Sequence, residues 1–518
     1  MQRIAHLKTV KTPFLSGLIN LFIPQKKHAI AFGLGLLGVL SFAPLNFAPV
    51  IIASLTGLFL LWLEAENRFE GFKIGLWFGL GFFGFGVSWL FSSIYVYSGV
   101  LLPLAILMTF SFILFLSLFI AFSGWVAQYF KDSKRPGLVL TVLFPAVWVG
   151  GELVRSSLLG GYPFLLVGNS HIETWLAGYA PVFGVWGMSW AIAMSAGLLL
   201  WLFKKRSWFV ASITLCLLWS VGGLLQDVEW VKPVDKPVDI ALLQGNIPQE
   251  KKWLQSEFMP TLKRYVSMTK SNMDADVIVW PETAVPAYYD VVERGALNSF
   301  IKDAQLLNTD ILVGAIAGDR GSANYYNALI NLHRPTDRYY KSHLVPFSEF
   351  FPLNDAFAYV SSLFNIPYAT FTAGADDQAP LMLGGQLAGL SICYETAFGE
   401  EMARQLPEAK YLITVSNDAW FAHTFEPAQQ LQEVQMRALE LGREIARSTN
   451  TGFSAIIDIK GKIKQQIPAY EIGVLRGKVQ PYEGLTLYAE WGKLPVLFLL
   501  FSLFAFMLAK RYFLSGRL

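Results

Sequence analysis

Long uninterrupted apolar runs constrain this chain more than any other feature of its sequence. A helix that crosses about 30 Å of hydrocarbon needs about 20 mostly apolar residues. Runs of this kind occur at 29–46, 47–63, 72–93, 100–128, 137–157, 178–203, 207–226 and 493–510. They predict a multi-pass α-helical membrane domain with about eight spans. Because Pro44 and Pro49 interrupt the boundary between the first two runs, seven or nine spans are the alternatives.

The composition agrees with a membrane protein that carries one soluble domain. Charged residues make up 15% of the 518 residues, whereas an ordinary soluble domain carries about 25%. A formal net charge of +3 is too small for nucleic-acid binding through a basic field, so we expect no nucleic-acid partner. Two cysteines exclude a disulfide scaffold and a cysteine-rich zinc module. We expect no metal and no cofactor.

The distribution of lysine and arginine predicts the orientation in the membrane. Basic residues concentrate in the N-terminal segment, in alternate connections between spans and in the C-terminal tail. Cytoplasmic connections carry the excess of positive charge in membrane proteins. We therefore expect both termini in the cytoplasm and one long outside segment. The predicted parts are a membrane domain of seven helices at 1–226, an outside domain at 227–491, and a C-terminal helix and tail at 492–518. A short apolar stretch at 14–23 predicts an interfacial helix.

Glycines recur at four-residue spacing in the third predicted span. Gly71, Gly75 and Gly79 would form one stripe on a helix. Small residues at this spacing allow two membrane helices to approach closely. A lipid-binding groove is the alternative interpretation of the same stripe.

The outside segment alternates short β-rich runs with helical stretches. Strands are predicted at 239–244, 276–280, 311–316, 326–332, 387–393, 411–416 and 453–459, and helices at 254–272, 291–306, 397–405 and 426–447. This alternation is typical of a layered α/β fold, in which ligands collect at the carboxyl ends of strands. Polar side chains lie at the ends of several of these strands, namely Glu282, Cys393 and the run Ser416-Asn417-Asp418. Lys341 comes directly after a further strand end, Arg338-Tyr339-Tyr340.

Cys393 is the strongest candidate for a nucleophile. A free cysteine is usually a small core residue, but an unpaired thiol is a liability outside the cytoplasm. The other cysteine, Cys216, lies within an apolar run and cannot reach it. A cysteine nucleophile needs a base and a group that stabilises the oxyanion. A glutamate base with a lysine partner explains the strand-end residues better than the histidines of this segment, His333, His343 and His423.

These residues resemble those of a known family. The motifs Trp280-Pro281-Glu282, Tyr340-Lys341 and Ile392-Cys393-Tyr394-Glu395 resemble the Glu-Lys-Cys triad of the nitrilase superfamily. With seven spans before it and one after, the chain resembles the apolipoprotein N-acyltransferase family. Further similar pieces are Gln244–Gln249 with Lys252-Trp253, His343–Phe347 leading to Glu349, Ser416–Phe421 and Asn450-Thr451-Gly452. Ser348 departs from the family, which usually has glycine before the second glutamate.

The resemblance implies a nitrilase-like αββα sandwich and a ping-pong acyl transfer. The donor would be a phospholipid such as phosphatidylethanolamine, and the acceptor would be the α-amine of the S-diacylglyceryl cysteine of a lipoprotein. Glu282 would act as the base and Cys393 would carry a thioester. Lys341, which we expect to favour the thiolate, would stabilise the oxyanion together with the N–H of Tyr394. The implied location is the bacterial inner membrane, with the catalytic domain in the periplasm. We expect the protein to be a monomer.

The resemblance also implies supporting residues, each with a plainer alternative. Glu349 and Glu395 would position Lys341 and the second substrate, or they are ordinary surface carboxylates. Asn327 would form a hydrogen bond within the site, or it would stabilise a turn at the strand end. Trp253 and Trp420 would contact acyl chains as a lid, or anchor the domain at the membrane interface. A membrane-anchored nitrilase-type amidase, with water as the acceptor, is the alternative function.

Overall fold

The first half of the chain is helical. The computed structural model describes residues 25–97, 99–204, 208–306, 309–318, 324–346, 348–350, 371–421 and 423–514, so the interfacial helix predicted at 14–23 lies outside the described residues. The helices of this half are α1 (Lys26–Gly38), α2 (Pro49–Glu64), α3 (Arg68–Gly86), α4 (Leu102–Phe130), α5 (Pro136–Arg155), α6 (Trp175–Phe203) and α7 (Trp208–Leu225).

The predicted number of about eight spans is not confirmed. Among the described residues, five helices are long and apolar enough to cross a membrane, namely α4 to α7 and the C-terminal helix Leu494–Tyr512. A sixth span results if α3 and the segment Leu90–Tyr97, which are bent by 60° to each other, count as one. The first two predicted spans fold as α1 and α2, with 13 and 16 residues. They are short because Pro44 and Pro49 cannot continue a preceding helix.

The glycine stripe of α3 lies against α4. A Cβ atom built on Gly75 would stand 2.4 Å from the carbonyl oxygen of Ile120, and one on Gly79 would stand 2.7 Å from the Cα of Ser117. Glycine is therefore required for this approach of the two backbones. The packing interpretation of the stripe is confirmed.

This contact predicts that Gly75→Ala destabilises the protein. The new methyl group would force α3 and α4 apart, and overpacking of this kind costs about 1–3 kcal/mol. Gly84→Ala is the matched control, because a Cβ there meets nothing within 4 Å. We expect a lower melting temperature in detergent for Gly75→Ala alone. Equal melting temperatures for the two variants would contradict the close-packing argument.

The second half of the chain contains two large β-sheets. The seven-stranded sheet has the order β14-β2-β3-β5-β6-β7, with β4 paired to β5, and the six-stranded sheet has the order β13-β12-β11-β10-β9-β8. The small strands β1 and β15 pair separately. The strands are β1 (Lys232–Pro233), β2 (Val238–Gln244), β3 (Val277–Val279), β4 (Val285–Tyr288), β5 (Asp310–Ala317), β6 (Tyr326–Asn331), β7 (Arg338–Tyr340), β8 (Leu381–Leu383), β9 (Gln386–Ile392), β10 (Tyr411–Ser416), β11 (Ile445–Thr449), β12 (Ser454–Ile457), β13 (Ile463–Ile467), β14 (Gly473–Val479) and β15 (Tyr482–Glu483).

The two sheets pack face to face with helices on both outer sides. Alternate residues of β2 point to opposite faces: Ile240 and Leu242 join the core between the sheets, whereas Ala241 and Leu243 join the core beneath the outer helices. The helices of this half are α8 (Gln249–Lys252), α9 (Gln255–Lys270), α10 (Tyr289–Arg294), α11 (Asn298–Gln305), α12 (Gly399–Ala403), α13 (Glu426–Leu441) and α14 (Leu487–Trp491), followed by α15 (Leu494–Leu514).

The helical layer that contains α13 is continuous with the packing of the membrane helices. Val434 and Leu441 of α13 share one buried apolar cluster with residues of α2, α5 and α6. Polar contacts reinforce this docking: Gln429 donates a 3.1 Å hydrogen bond to the carbonyl oxygen of Gly86, and Glu440 accepts one of 2.6 Å from the N–H of Val185. The α/β half is therefore fixed against the helical half through α13.

All seven predicted strands are confirmed, but two predicted helices differ. The helix predicted at 426–447 ends at Leu441, where Gly442 adopts the left-handed conformation with φ +61°, and β11 follows. The helix predicted at 291–306 is divided into α10 and α11 around Gly295. In both places a glycine follows the helix, and Gly442 adopts its left-handed conformation at low cost because it lacks a side chain.

Candidate active site

Four strands of the two sheets deliver polar residues to one site. Glu282 follows β3, Cys393 follows β9 and Asn417 follows β10. Strands β9 and β10 are parallel neighbours, so their carboxyl ends lie at one edge of the sheet. Lys341 follows β7 directly and extends its buried side chain toward Glu282. The sequence-predicted strand-end residues therefore meet in space.

Cys393 lies at a sharp junction between β9 and the 3₁₀ helix Cys393–Ala397. Its φ of +55° belongs to the left-handed region, which costs a non-glycine residue about 1–2 kcal/mol. Strained backbone of this kind concentrates at functional sites. The junction places Tyr394 in the first helical turn, where backbone N–H groups lack acceptors within the helix.

Glu282 is held by donors to both of its carboxylate oxygens. Its Oε1 accepts a 2.7 Å hydrogen bond from Nδ2 of Asn327, and its Oε2 accepts one of 2.9 Å from the N–H of Asn417. The Nζ atom of Lys341 lies 3.7 Å from Oε1. With only 7% of its surface exposed, Glu282 is fixed in one orientation beside the thiol.

Lys341 is buried between two carboxylates. Its Nζ lies 2.9 Å from Oε1 and 2.8 Å from Oε2 of Glu349, in addition to its contact with Glu282. Burial alone would lower the pKa of Lys341, but Glu349 and Glu282 raise it above its ordinary value. Lys341 is therefore a permanent cation in this site.

The thiol of Cys393 is protonated at rest. Burial, followed by the charge of Glu282, raises the pKa of Cys393 well above its ordinary value, and the opposing effect of Lys341 is smaller. Lys341 therefore favours the thiolate, as expected, without making it the resting form. Desolvation outweighs one cation here, and the thiol needs a base at the moment of reaction.

Gln430 of α13 fixes the other side of the thiol. Its Nε2 lies 3.7 Å from Sγ of Cys393. Its Oε1 accepts hydrogen bonds from Ser416 and from the buried Arg447, which orients the amide nitrogen toward the sulfur. Sequence analysis did not single out Gln430, because a glutamine in a helix has no pattern that distinguishes it from a surface residue.

Glu395 organises the backbone of the site. The expected positioning of Lys341 by Glu395 would act through the backbone, because the carboxylates paired with Lys341 among the described residues are those of Glu282 and Glu349. The two oxygens of Glu395 accept five hydrogen bonds of 2.6–3.2 Å, from the N–H groups of Ser342, His343 and Ile392 and the hydroxyls of Ser342 and Tyr339. It therefore ties the loop after Lys341 to the strand before Cys393.

Two side chains connect the site to the loop between α5 and α6. The hydroxyl of Tyr394 donates a 2.8 Å hydrogen bond to the carbonyl oxygen of Gly161, so its ring points away from the thiol. Nε2 of His343 lies 2.9 Å from the carbonyl oxygen of Gly160, and its Nδ1 lies 2.8 Å from Glu401. Both ring nitrogens of His343 are thus occupied away from Cys393, which agrees with a glutamate rather than a histidine base.

The two tryptophans lie at the surface near the site. Trp253, directly after α8, is 54% exposed, and Trp420, on the 3₁₀ helix Asp418–Phe421, is 38% exposed. The ring of Trp420 meets that of Tyr97, in the bent segment after α3, at a centroid distance of 6.0 Å. The lid role of these two side chains and their role as interfacial anchors both stay predictions.

Lys252 is a second buried lysine beside the triad residues. It ends α8 and is 3% exposed, and its Nζ donates a 3.3 Å hydrogen bond to the carbonyl oxygen of Glu282. Sequence analysis noted it only as part of a motif. The reason is that lysine beside an exposed tryptophan is typical of a solvated surface, and only the fold buries it.

Both halves of the chain match known families. Residues 34–198 match the apolipoprotein N-acyltransferase N-terminal domain, and residues 239–484 match the carbon-nitrogen hydrolase family. The chain is 41% identical to an apolipoprotein N-acyltransferase of Methylococcus capsulatus, covering 94% of this chain and 97% of the relative. It is 37% identical to one of Nitrosomonas europaea, covering 89% and 93%. A solved carbon-nitrogen hydrolase from Helicobacter pylori G27 is similar at 13% identity and a TM-score of 0.35, covering 50% of this chain and 95% of that one.

Proposed function

The chain belongs to the apolipoprotein N-acyltransferase family, and from this premise we propose that Cys393 carries an acyl chain from a phospholipid to the N-terminal cysteine of a lipoprotein. The observation that carries the proposal is the buried group formed by Glu282, Lys341 and the protonated thiol of Cys393. A protonated thiol with a fixed carboxylate beside it suits acyl transfer through a thioester, because the base is needed only when the acyl donor is in place.

In the first half-reaction, Glu282 takes the proton of the Cys393 thiol while the sulfur attacks the ester carbonyl carbon. The carbonyl electrons move to oxygen, where Lys341 and the N–H of Tyr394 stabilise the oxyanion. Collapse of this intermediate breaks the ester C–O bond, and Glu282 returns its proton to the departing lysophospholipid oxygen. Phosphatidylethanolamine is the proposed donor. The permanent charge of Lys341, maintained by Glu349, supports its role as the oxyanion partner.

In the second half-reaction, the α-amine of an S-diacylglyceryl cysteine attacks the thioester. Glu282 takes a proton from the attacking nitrogen and gives it to the departing sulfur, which restores the thiol. Asn327 and Asn417 support this exchange, because they hold the two carboxylate oxygens in place throughout. Glu349 and Glu395 are proposed as positioning residues for Lys341 and for the loop that carries it. Trp253 and Trp420 are proposed to contact acyl chains.

The proposed location is the inner membrane of a bacterium, with both termini in the cytoplasm and the catalytic domain, 227–491, in the periplasm. The helical domain at 1–226 and the C-terminal helix at 492–518 would hold that domain at the bilayer surface. The bonds of Tyr394 and His343 to the loop between α5 and α6 support this arrangement, because they tie the site to the membrane helices. The protein is proposed to act as a monomer.

Intact-protein mass spectrometry tests the proposal. The purified protein, incubated with phosphatidylethanolamine alone, is expected to gain the mass of one acyl chain in a hydroxylamine-sensitive bond. Addition of a diacylglyceryl-cysteinyl peptide is then expected to remove this mass and yield the N-acylated peptide. Free fatty acid without N-acylated peptide would instead indicate a hydrolase. No adduct and no lipid consumption would favour an amidase and overturn the proposal.

A further inference from the structure

The proton balance of the second half-reaction leaves one step without a group to perform it. The α-amine of a lipoprotein has an ordinary pKa of about 8, so much of it arrives as an ammonium ion. An ammonium ion has no electron pair with which to attack a thioester. The first proton must leave before attack, whereas Glu282 takes only the second proton and passes it to the sulfur. Every turnover in which the acceptor arrives as the ammonium ion therefore requires a further proton acceptor.

Lys252 is the buried group near Glu282 that the mechanism does not yet use. Among the described residues, no carboxylate oxygen lies within 4 Å of its Nζ, in contrast to Lys341. Its Nζ donates a 3.3 Å hydrogen bond to the backbone carbonyl oxygen of Glu282, and a lysine nitrogen can form further hydrogen bonds, which a substrate could use.

The environment of Lys252 favours loss of its proton near neutral pH. Burial lowers the pKa of Lys252 to about 8, against the opposing charge of Glu282 and, whenever the thiol is ionised, that of Cys393, which are the titratable groups that act on it. As a thioester Cys393 cannot ionise, and Glu282 is then the one of these two groups that still attracts the proton. The two buried lysines thus have different properties: Lys341 stays charged, whereas Lys252 exchanges a proton.

We propose that neutral Lys252 takes the first proton from the α-ammonium group of the acceptor, and that this step belongs to the second half-reaction alone. The N–H bond of the ammonium breaks, its electron pair stays on the acceptor nitrogen, and the proton binds Nζ of Lys252. The amine then attacks the thioester, and Lys252 later releases the proton to solvent. This inference rests on the proposed acyl transfer and deepens it, because it assigns the activation of the amine to a residue outside the triad.

Separate measurement of the two half-reactions tests this assignment. Thioester formation is followed with phosphatidylethanolamine alone, and its discharge is followed after addition of a diacylglyceryl-cysteinyl peptide at pH 7.5. For Lys252→Met and Lys252→Arg we expect thioester formation within about threefold of the wild type, and discharge slowed by about 10²-fold or more, the scale of general-base catalysis. Lys252→Arg keeps the positive charge but cannot give up a proton. Lys251→Met, a change at the exposed neighbour on α8, is the matched control and should leave both rates unchanged.

Replacing the peptide by a different attacking compound provides a second readout. Hydroxylamine is already uncharged at neutral pH, so it should discharge the thioester of Lys252→Arg as fast as that of the wild type. If both half-reactions of the two variants slow equally, Lys252 only positions Glu282 and the inference is wrong. Normal discharge by the peptide would also overturn it. If the wild type forms no thioester, the proposed function fails first, and the inference fails with it.

Discussion

Cys393→Ala should abolish acyl transfer and leave the fold intact. Removal of one member of a catalytic triad lowers turnover by at least about 10⁴-fold, and here the variant also lacks the atom that carries the acyl chain. The side chain of Cys393 is partly buried, packs against the core between the two sheets and lies 3.7 Å from the amide nitrogen of Gln430, and alanine removes only its sulfur atom from this packing. The left-handed backbone conformation at this position costs alanine no more free energy than it costs cysteine. We expect loss of the acyl adduct in mass spectrometry at an unchanged melting temperature.

The second cysteine of the chain provides a matched control for this result. Cys216 lies exposed in α7, and Cys216→Ala should retain both half-reactions. If Cys393→Ala still gains an acyl chain in an amount comparable to the wild type, another residue is the nucleophile. A variant that unfolds would show Cys393 to be a packing residue, and a melting curve separates this case from loss of chemistry.

The strand-end residues could be predicted because their positions follow from the topology of the sheets. A buried strand must be apolar to its end, so a polar residue directly after it lies at the rim of the sheet. Parallel strands align these rims, which is why Cys393 after β9 and Asn417 after β10 become neighbours. Glu282 joins them because the two sheets pack face to face. The sequence pattern therefore contains most of the triad geometry.

Residues that reach the site from helices could not be predicted in this way. Gln430 and Lys252 approach through α13 and α8, and their orientation depends on how these helices dock, which is a tertiary property. The resting protonation state of Cys393 escaped prediction for a related reason. Lysine proximity is visible in the sequence motif, whereas the degree of burial, which dominates the pKa of the thiol, is not.

The membrane helices show the same division between local and tertiary information. Hydropathy located α4 to α7 and α15, because a long apolar run has few alternatives in a bilayer. It overestimated the lengths of the first two helices, because proline divides this apolar run into two shorter helices. Close packing of α3 against another helix was predictable, since a glycine stripe has a direct steric meaning, but its partner α4 was not.

Glu282→Gln should slow acyl transfer and at the same time make the thiol of Cys393 more reactive. The charge of Glu282 is the second largest cause, after burial, of the raised pKa of Cys393. Removal of this negative charge stabilises the thiolate, so the pKa of Cys393 falls in the variant. Transfer nevertheless declines by about 10²–10⁴-fold, because the amide cannot accept the proton or return it to the leaving group. A small loss of stability is expected as well, since an amide oxygen can serve only one of the donors Asn327 and Asn417.

Alkylation by iodoacetamide, followed by mass spectrometry between pH 7 and pH 10, separates these two effects of Glu282→Gln. Modification of Cys393 should begin at lower pH in the variant than in the wild type, because only the thiolate reacts. Cys216 lies in α7, a helix apolar enough to cross a membrane, so the comparison is made in the Cys216→Ala background, where only Cys393 can be modified. Alkylation that slows in proportion to transfer would mean that Glu282 removes the thiol proton for alkylation as it does for acyl transfer. That result would contradict the expected fall in the pKa of Cys393 as the dominant effect of Glu282→Gln on its reactivity.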